Sequence, residues 1–240
     1  MNKKITVLVS CIIFLLLVLP MKVQAETSLS TDYNNQLVNY VPDMHGTCRT
    51  SFLGKMSDGG YQAVVYDEGI LYVYYYDSSY QMTETKQVTL ELPIWGGLFL
   101  GETYNYVVCG KNYDTSIDNG GEVYRVIKYD KGFNRINSIS FDSKQTYTQT
   151  PFCASNVSVD ESGNLLTVYT GRLRLDGHQS NIIFRINTVD MSIVDSDGYA
   201  PFPIEHVGHS LRQIMKYDDG SPVYVDLSDS YPFRAVCLLY

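Results

Sequence analysis

Short runs of alternating or continuous apolar residues, each bounded by glycine, aspartate or asparagine, fill the chain from Tyr61 onward. Such runs read as β-strands joined by tight turns. One arrangement recurs: an apolar strand, an aspartate or asparagine, then a second strand. It occurs at Leu71–Tyr76 before Asp77, at Val126–Tyr129 before Asp130, and at Ile182–Ile186 before Asn187, so the markers lie 53 and 57 residues apart. The turn glycines Gly101, Gly163 and Gly220 keep nearly the same period, at 62 and 57 residues. No stretch sustains helical periodicity. A repeat of this length built from short strands predicts an all-β, β-propeller-like fold, with about four blade units of roughly 53–60 residues. The next strand-end marker would fall near position 241, so the repeat domain, 57–240, is expected to end within a blade. Residues 26–56 form a polar lead-in; either a strand from it closes a compact four-unit propeller, or the chain is the front part of a longer one.

The N-terminus has a different pattern. Lys3 and Lys4 precede an apolar run from Ile5 to Leu19, and Ala25 offers a small residue for cleavage. This predicts a signal peptide over 1–25 and a secreted, extracellular product. The run is shorter than the roughly 20 residues a membrane helix needs, so no stable span is expected after cleavage. Without Lys3, Lys4 and Lys22 the chain holds 15 basic against 26 acidic residues. That balance repels polyanions and excludes nucleic acid as an expected partner. Cys48, Cys109, Cys153 and Cys237 would remain after export, which permits disulfides. The sequence leaves their pairing open, and Cys109 and Cys237 sit in apolar runs that suit small buried thiols.

Several strings carry a resemblance. Leu92-Pro93-Ile94-Trp95-Gly96-Gly97-Leu98-Phe99-Leu100-Gly101, Gly121-Glu122-Val123-Tyr124-Arg125-Val126, Asp176-Gly177-His178-Gln179, Gly208-His209-Ser210 and Asp229-Ser230-Tyr231-Pro232-Phe233-Arg234 resemble uncharacterised exported bacterial β-propeller-like proteins. The likeness covers most of residues 60–240. It implies the same fold and, since those proteins are longer, the front part of an assembly of about seven blades. No activity of that family is established, so none is implied.

Two polar stretches are the candidate ligand-binding positions. Arg172, Arg174, Asp176 and His178 follow one strand, while Asp226, Asp229, Tyr231 and Arg234 follow its counterpart one unit later; His209 lies between the two. Turns after the second strand of successive blades emerge at one end of a propeller, where charged and aromatic groups can grip a glycan or peptide. Local charge pairing in solvated hairpins is the plainer alternative. His206 and His209 beside Glu205 fit no usual zinc spacing, so no metal or other cofactor is expected. No nucleophile–histidine–carboxylate set stands out, and no catalytic residue is assigned. A secreted binding module is the leading expectation. A polysaccharide hydrolase or lyase and a truncated relic of a longer propeller are the alternatives.

Overall fold

The computed structural model describes residues 50–116, 119–153, 157–197, 214–230 and 233–239. These form four antiparallel meanders, each strand pairing with the next. The first sheet is β1 (Ser51–Lys55), β2 (Tyr61–Asp67), β3 (Ile70–Tyr76) and β4 (Met82–Thr89). The second is β5 (Ile94–Leu100), β6 (Asn105–Gly110), β7 (Glu122–Tyr129) and β8 (Arg135–Asp142). A single helical turn, α1 (Ser143–Thr146), and the short β9 (Thr148–Pro151) lead to the third sheet. That sheet is β10 (Ser158–Ser162), β11 (Leu165–Arg174), β12 (Gln179–Asn187) and β13 (Ser192–Asp197), with β9 added beside β11. The fourth sheet comprises β14 (Ile214–Asp218), β15 (Ser221–Ser230) and β16 (Phe233–Leu239) among the described residues. The all-β, propeller-like architecture read from the repeat is what the chain forms.

The repeat markers have a local cause. Asp77, Asp130 and Asn187 each open the turn between the third and fourth strands of a sheet. Their side-chain oxygens accept from backbone amides ahead: Ser79 and Gln81 at 2.8 and 2.9 Å, Asn134 at 2.8 Å, Val189 at 2.9 Å. These side-chain-to-backbone bonds close each turn and free the chain to reverse. Each turn then passes through a left-handed residue, Tyr80, Phe133 or Met191. Phe133 and Met191 are buried, so the strained conformation places an apolar side chain under the turn. The glycines of the second marker act differently from one another. Gly163 and Gly220 take positive φ, whereas Gly101 is required by close approach: a Cβ there would lie 2.7 Å from the Tyr104 carbonyl.

The sheets pack face to face. Val64, Leu71 and Val73 of the first sheet meet Trp95, Val107 and Ile127 of the second, with Tyr66 stacked on Trp95 at 4.4 Å. The opposite face of the second sheet packs on the third through Tyr124, Phe141 and Phe184. There the Phe141 and Phe184 rings lie 4.2 Å apart and Tyr124 meets Phe184 edge-on at 4.9 Å. A smaller cluster, Tyr169, Ile183, Met215 and Tyr224, joins the third sheet to the fourth. The first strands β1, β5, β10 and β14 lie side by side in series, the arrangement of inner strands about a propeller axis.

Polar ties cross the same junctions. Asn105 donates to Gln62 at 2.9 Å, and Gln62 donates to the Lys131 carbonyl at 2.7 Å. The Lys131 ammonium reaches the Gly101 carbonyl and Asn105, and burial lowers its pKa. Between the second and third sheets, buried Lys128 donates to the Thr188 carbonyl at 2.6 Å and sits 3.6 Å above the Tyr104 ring.

Ser51–Lys55, at the end of the lead-in, is the first strand of the first sheet: it pairs with β2, with Phe52 and Leu53 in register with Val64 and Ala63. The rest of the lead-in and residues 1–25 lie outside the described residues. Cys109 and Cys153 are both free and buried, and burial pushes the Cys109 thiol up to about 12. Neither joins the disulfide that export would permit. Cys48 and the side chain of Cys237 lie outside the described residues. No helix among the described residues is long and apolar enough to cross a membrane.

Truncating the ring at the central junction, Phe184→Ala, should cost about 3–5 kcal/mol in denaturant unfolding. At Gly110 a Cβ would lie 2.6 Å from the Val123 carbonyl and 2.8 Å from Pro151, so Gly110→Ala should cost about 1–3 kcal/mol by overpacking. A third expectation concerns acid. Glu91 bridges Arg135 at 2.6 Å and Arg125 at 2.9 Å, and the Arg135 hydrogen bond above all holds its carboxyl below the usual range. A depressed folded pKa adds stability that is present above the unfolded value, near 4.3, and is lost as pH falls through the folded one. Glu91→Gln should therefore lower stability at pH 7 and flatten its decline below about pH 4.3. Parallel wild-type and variant curves would contradict this.

Candidate functional site

The strands β10 and β14 run parallel and adjacent: Ser158 Oγ accepts from the Met215 amide at 2.8 Å, and Asp160 accepts from the Tyr217 amide at 3.1 Å. Their partners β11 and β15 each run the opposite way, so the β11–β12 and β15–β16 turns leave the stack at the same end. The turn from β8 into β9 joins them there, tied to the loop after β6 by the bond from the Tyr113 amide to the Gln149 carbonyl at 2.8 Å. β9 extends the inner edge of the third sheet, pairing Arg172 with Pro151 and Leu173 with Thr150.

The rim of this end is built by a tight hairpin. Gly177 takes positive φ, which lets its amide bond the Arg174 carbonyl at 3.0 Å and the Arg174 amide bond the His178 carbonyl at 2.8 Å. The hairpin gathers its own charges. Arg174 pairs with Asp176 at 2.6 Å, and the His178 ring lies 3.4 Å from the same carboxylate. Partial desolvation opposes ionisation of Asp176, but the His178 amide, the Arg174 guanidinium and the His178 ring offset it and hold the carboxyl below its ordinary range. The Arg174 guanidinium sits 5.5 Å above the ring of Tyr147, a left-handed residue following α1. His178 is the most open of the group, with 63% of its side chain exposed.

Beneath the rim lies a buried polar base. Arg172 is 1% exposed; its Nε donates to Ser180 at 3.0 Å and its Nη1 to the Thr146 carbonyl. It acts from within, fixing the α1–β9 turn that presents Tyr147. One junction further on, Asp226, also 1% exposed, accepts from the Tyr169 hydroxyl at 2.5 Å and from Asn181. Burial, reinforced by the neighbouring carboxylate, raises the Tyr169 pKa. Two strand pairs thus hold a buried guanidinium and a buried carboxylate below one end of the stack.

Of the positions nominated from sequence, Arg174, Asp176 and His178 come together on the rim, and Arg172 lies below them. Asp229 and Arg234 face each other in the β15–β16 register at the same end. Tyr231 and His209 lie outside the described residues. Tyr147, Tyr169, Ser180 and Asn181 were not nominated. Among the described residues, no group of three or more metal-ligating side chains converges.

No family model and no curated protein sequence matches the chain. Among solved structures it is similar to an ACO/RPE65 chimera at 9% identity and TM-score 0.44, over 78% of this chain and 45% of that one. It is also similar to a luciferin-regenerating enzyme at 15% identity and TM-score 0.38, over 76% and 57% of the two chains. A third is an endo-arabinase from Bacteroides thetaiotaomicron, at 12% identity and TM-score 0.39, over 83% and 78%. The chain thus spans less than half the length of the first and little more than half of the second.

The buried base makes a direct prediction. Tyr169→Phe keeps the ring and removes one donor to a buried carboxylate, so it should cost about 1.5–3 kcal/mol. An unchanged melting temperature would show that the hydroxyl does not support Asp226.

Proposed function

We propose that this chain is a secreted binding module that takes a glycan or peptide at the end of the stack carrying the β11–β12 and β15–β16 turns. One observation carries the reading: Arg174, Asp176 and His178 stand beside Tyr147 on a base locked by buried Arg172. An aromatic ring with fixed donors and acceptors around it suits a ligand that has both apolar faces and hydroxyl or amide edges. The base lowers the cost of binding, because the rim groups are already ordered. Asp229 and Arg234 are register partners beside the neighbouring turn at the same end. Export is part of the proposal and rests on the basic, apolar and small-residue segments of 1–25.

Glycan and peptide arrays probed with the purified protein should give a reproducible hit that raises the melting temperature, by about 2.7 kcal/mol of stabilisation at a hundredfold excess over Kd. His178→Ala and Arg174→Ala should weaken that binding tenfold or more with little change in the unliganded melt. An array without hits, or hits indifferent to both variants, would overturn the assignment. Release of new reducing ends from a bound polysaccharide would instead favour the hydrolase alternative.

A further inference from the structure

The sheets at the two ends of the stack each keep one apolar face outward. In the first sheet, Val64, Leu71 and Val73 turn toward the second sheet, so the alternate rows point away from it. Those rows are Leu53–Ala63–Tyr74 and Ser51–Val65–Tyr72 in register, and Leu53 and Val65 are 68% and 39% exposed. In the fourth sheet, Met215 and Tyr224 turn toward the third, and the row Ile214–Val225–Leu238 points away. Ile214 is 50% and Leu238 60% exposed. These residues are of the same kind as those buried at every internal junction, where one sheet's forward face covers the next sheet's rear face. The first sheet lacks a sheet behind it, and the fourth lacks one ahead, among the described residues.

We propose that the outward face of the first sheet takes the outward face of the fourth sheet of a second copy of this chain. The contact continues the internal stacking: the fourth sheet is in the position to lie behind the first, as the second lies behind the third. Charge fits as well. Lys55 and Asp218 close the inner strands β1 and β14, each on its outward row. Internal contacts place these inner strands side by side in parallel, as Ser158 beside Met215 shows. Stacking in the same sense brings the Asp218 end of one copy beside the Lys55 end of the other. Size is consistent too. Strands about 4.8 Å apart and about 3.3 Å per residue give the four-stranded first face roughly 20 by 20 Å and the three-stranded fourth face roughly 14 by 20 Å. Two contacts of the smaller size in a closed pair come to about 1,100 Å² in total, above the roughly 1,000 Å² that a specific interface needs. The contact is head-to-tail, so it either closes into a pair or extends.

Gel filtration with light scattering on the purified protein, over a hundredfold concentration range, tests this directly. Twice the monomer mass, or larger species growing with concentration, supports it. A monomer throughout overturns it. Both Leu53→Lys and Leu238→Glu should give monomers, since each contact uses one face of each kind. If only Leu53→Lys dissociates the assembly, the first sheets meet each other and the head-to-tail contact is wrong. Both positions are exposed in the single chain, and near-ultraviolet circular dichroism of each variant checks that its tyrosines stay packed.

Discussion

Phe184 stands between Phe141 and Tyr124 at the junction of the second and third sheets, and the rest of the structure hangs on that contact. A single four-stranded repeat unit cannot bury its apolar face without a neighbour. The second and third sheets each bury both faces against neighbours, and the first and fourth one face each among the described residues, so stability resides in the junctions. The central junction is the largest, taking in Val108, Val126, Leu166, Val168 and Ile182 besides the rings. It also fixes β9 through Phe152, whose ring meets Tyr124 edge-on at 5.4 Å. The rim built on the α1–β9 turn therefore inherits its position from the core.

The polar groups crossing the junctions are held by matched partners. Lys128 lies between a carbonyl and a ring face, and Asp226 receives a hydroxyl and an amide. Such bonds add little net energy when made and cost much when broken. Their effect is to set register: a sheet displaced by one residue would strand Arg172 or Asp226 without its partners. In this way the same residues that tie the sheets also keep the candidate site's base in one geometry.

What the sequence reveals follows from how far apart the partners lie. Asp77, Asp130 and Asn187 bond amides within four residues, so their spacing exposed the repeat directly. The Arg174–Asp176–His178 hairpin is local in the same sense and was legible. Arg172 was legible as a charge but not as a buried one, because Thr146, its acceptor, lies 26 residues upstream. The Tyr169–Asp226 bond spans 57 residues, and no short-range pattern announces it. β9 escaped notice because it has four residues, ends in proline and follows the left-handed Tyr147. β1 hid in a lead-in whose composition reads as polar, although Phe52 and Leu53 mark the strand in retrospect.

Native-state hydrogen exchange would test most directly whether the sheets form one cooperative stack. If the junctions carry the stability, the slow amides of β6 and β7 in the second sheet and of β11 and β12 in the third should share one opening free energy and one denaturant dependence. Separate opening energies for the two sheets would show that each stands alone, and would contradict the account.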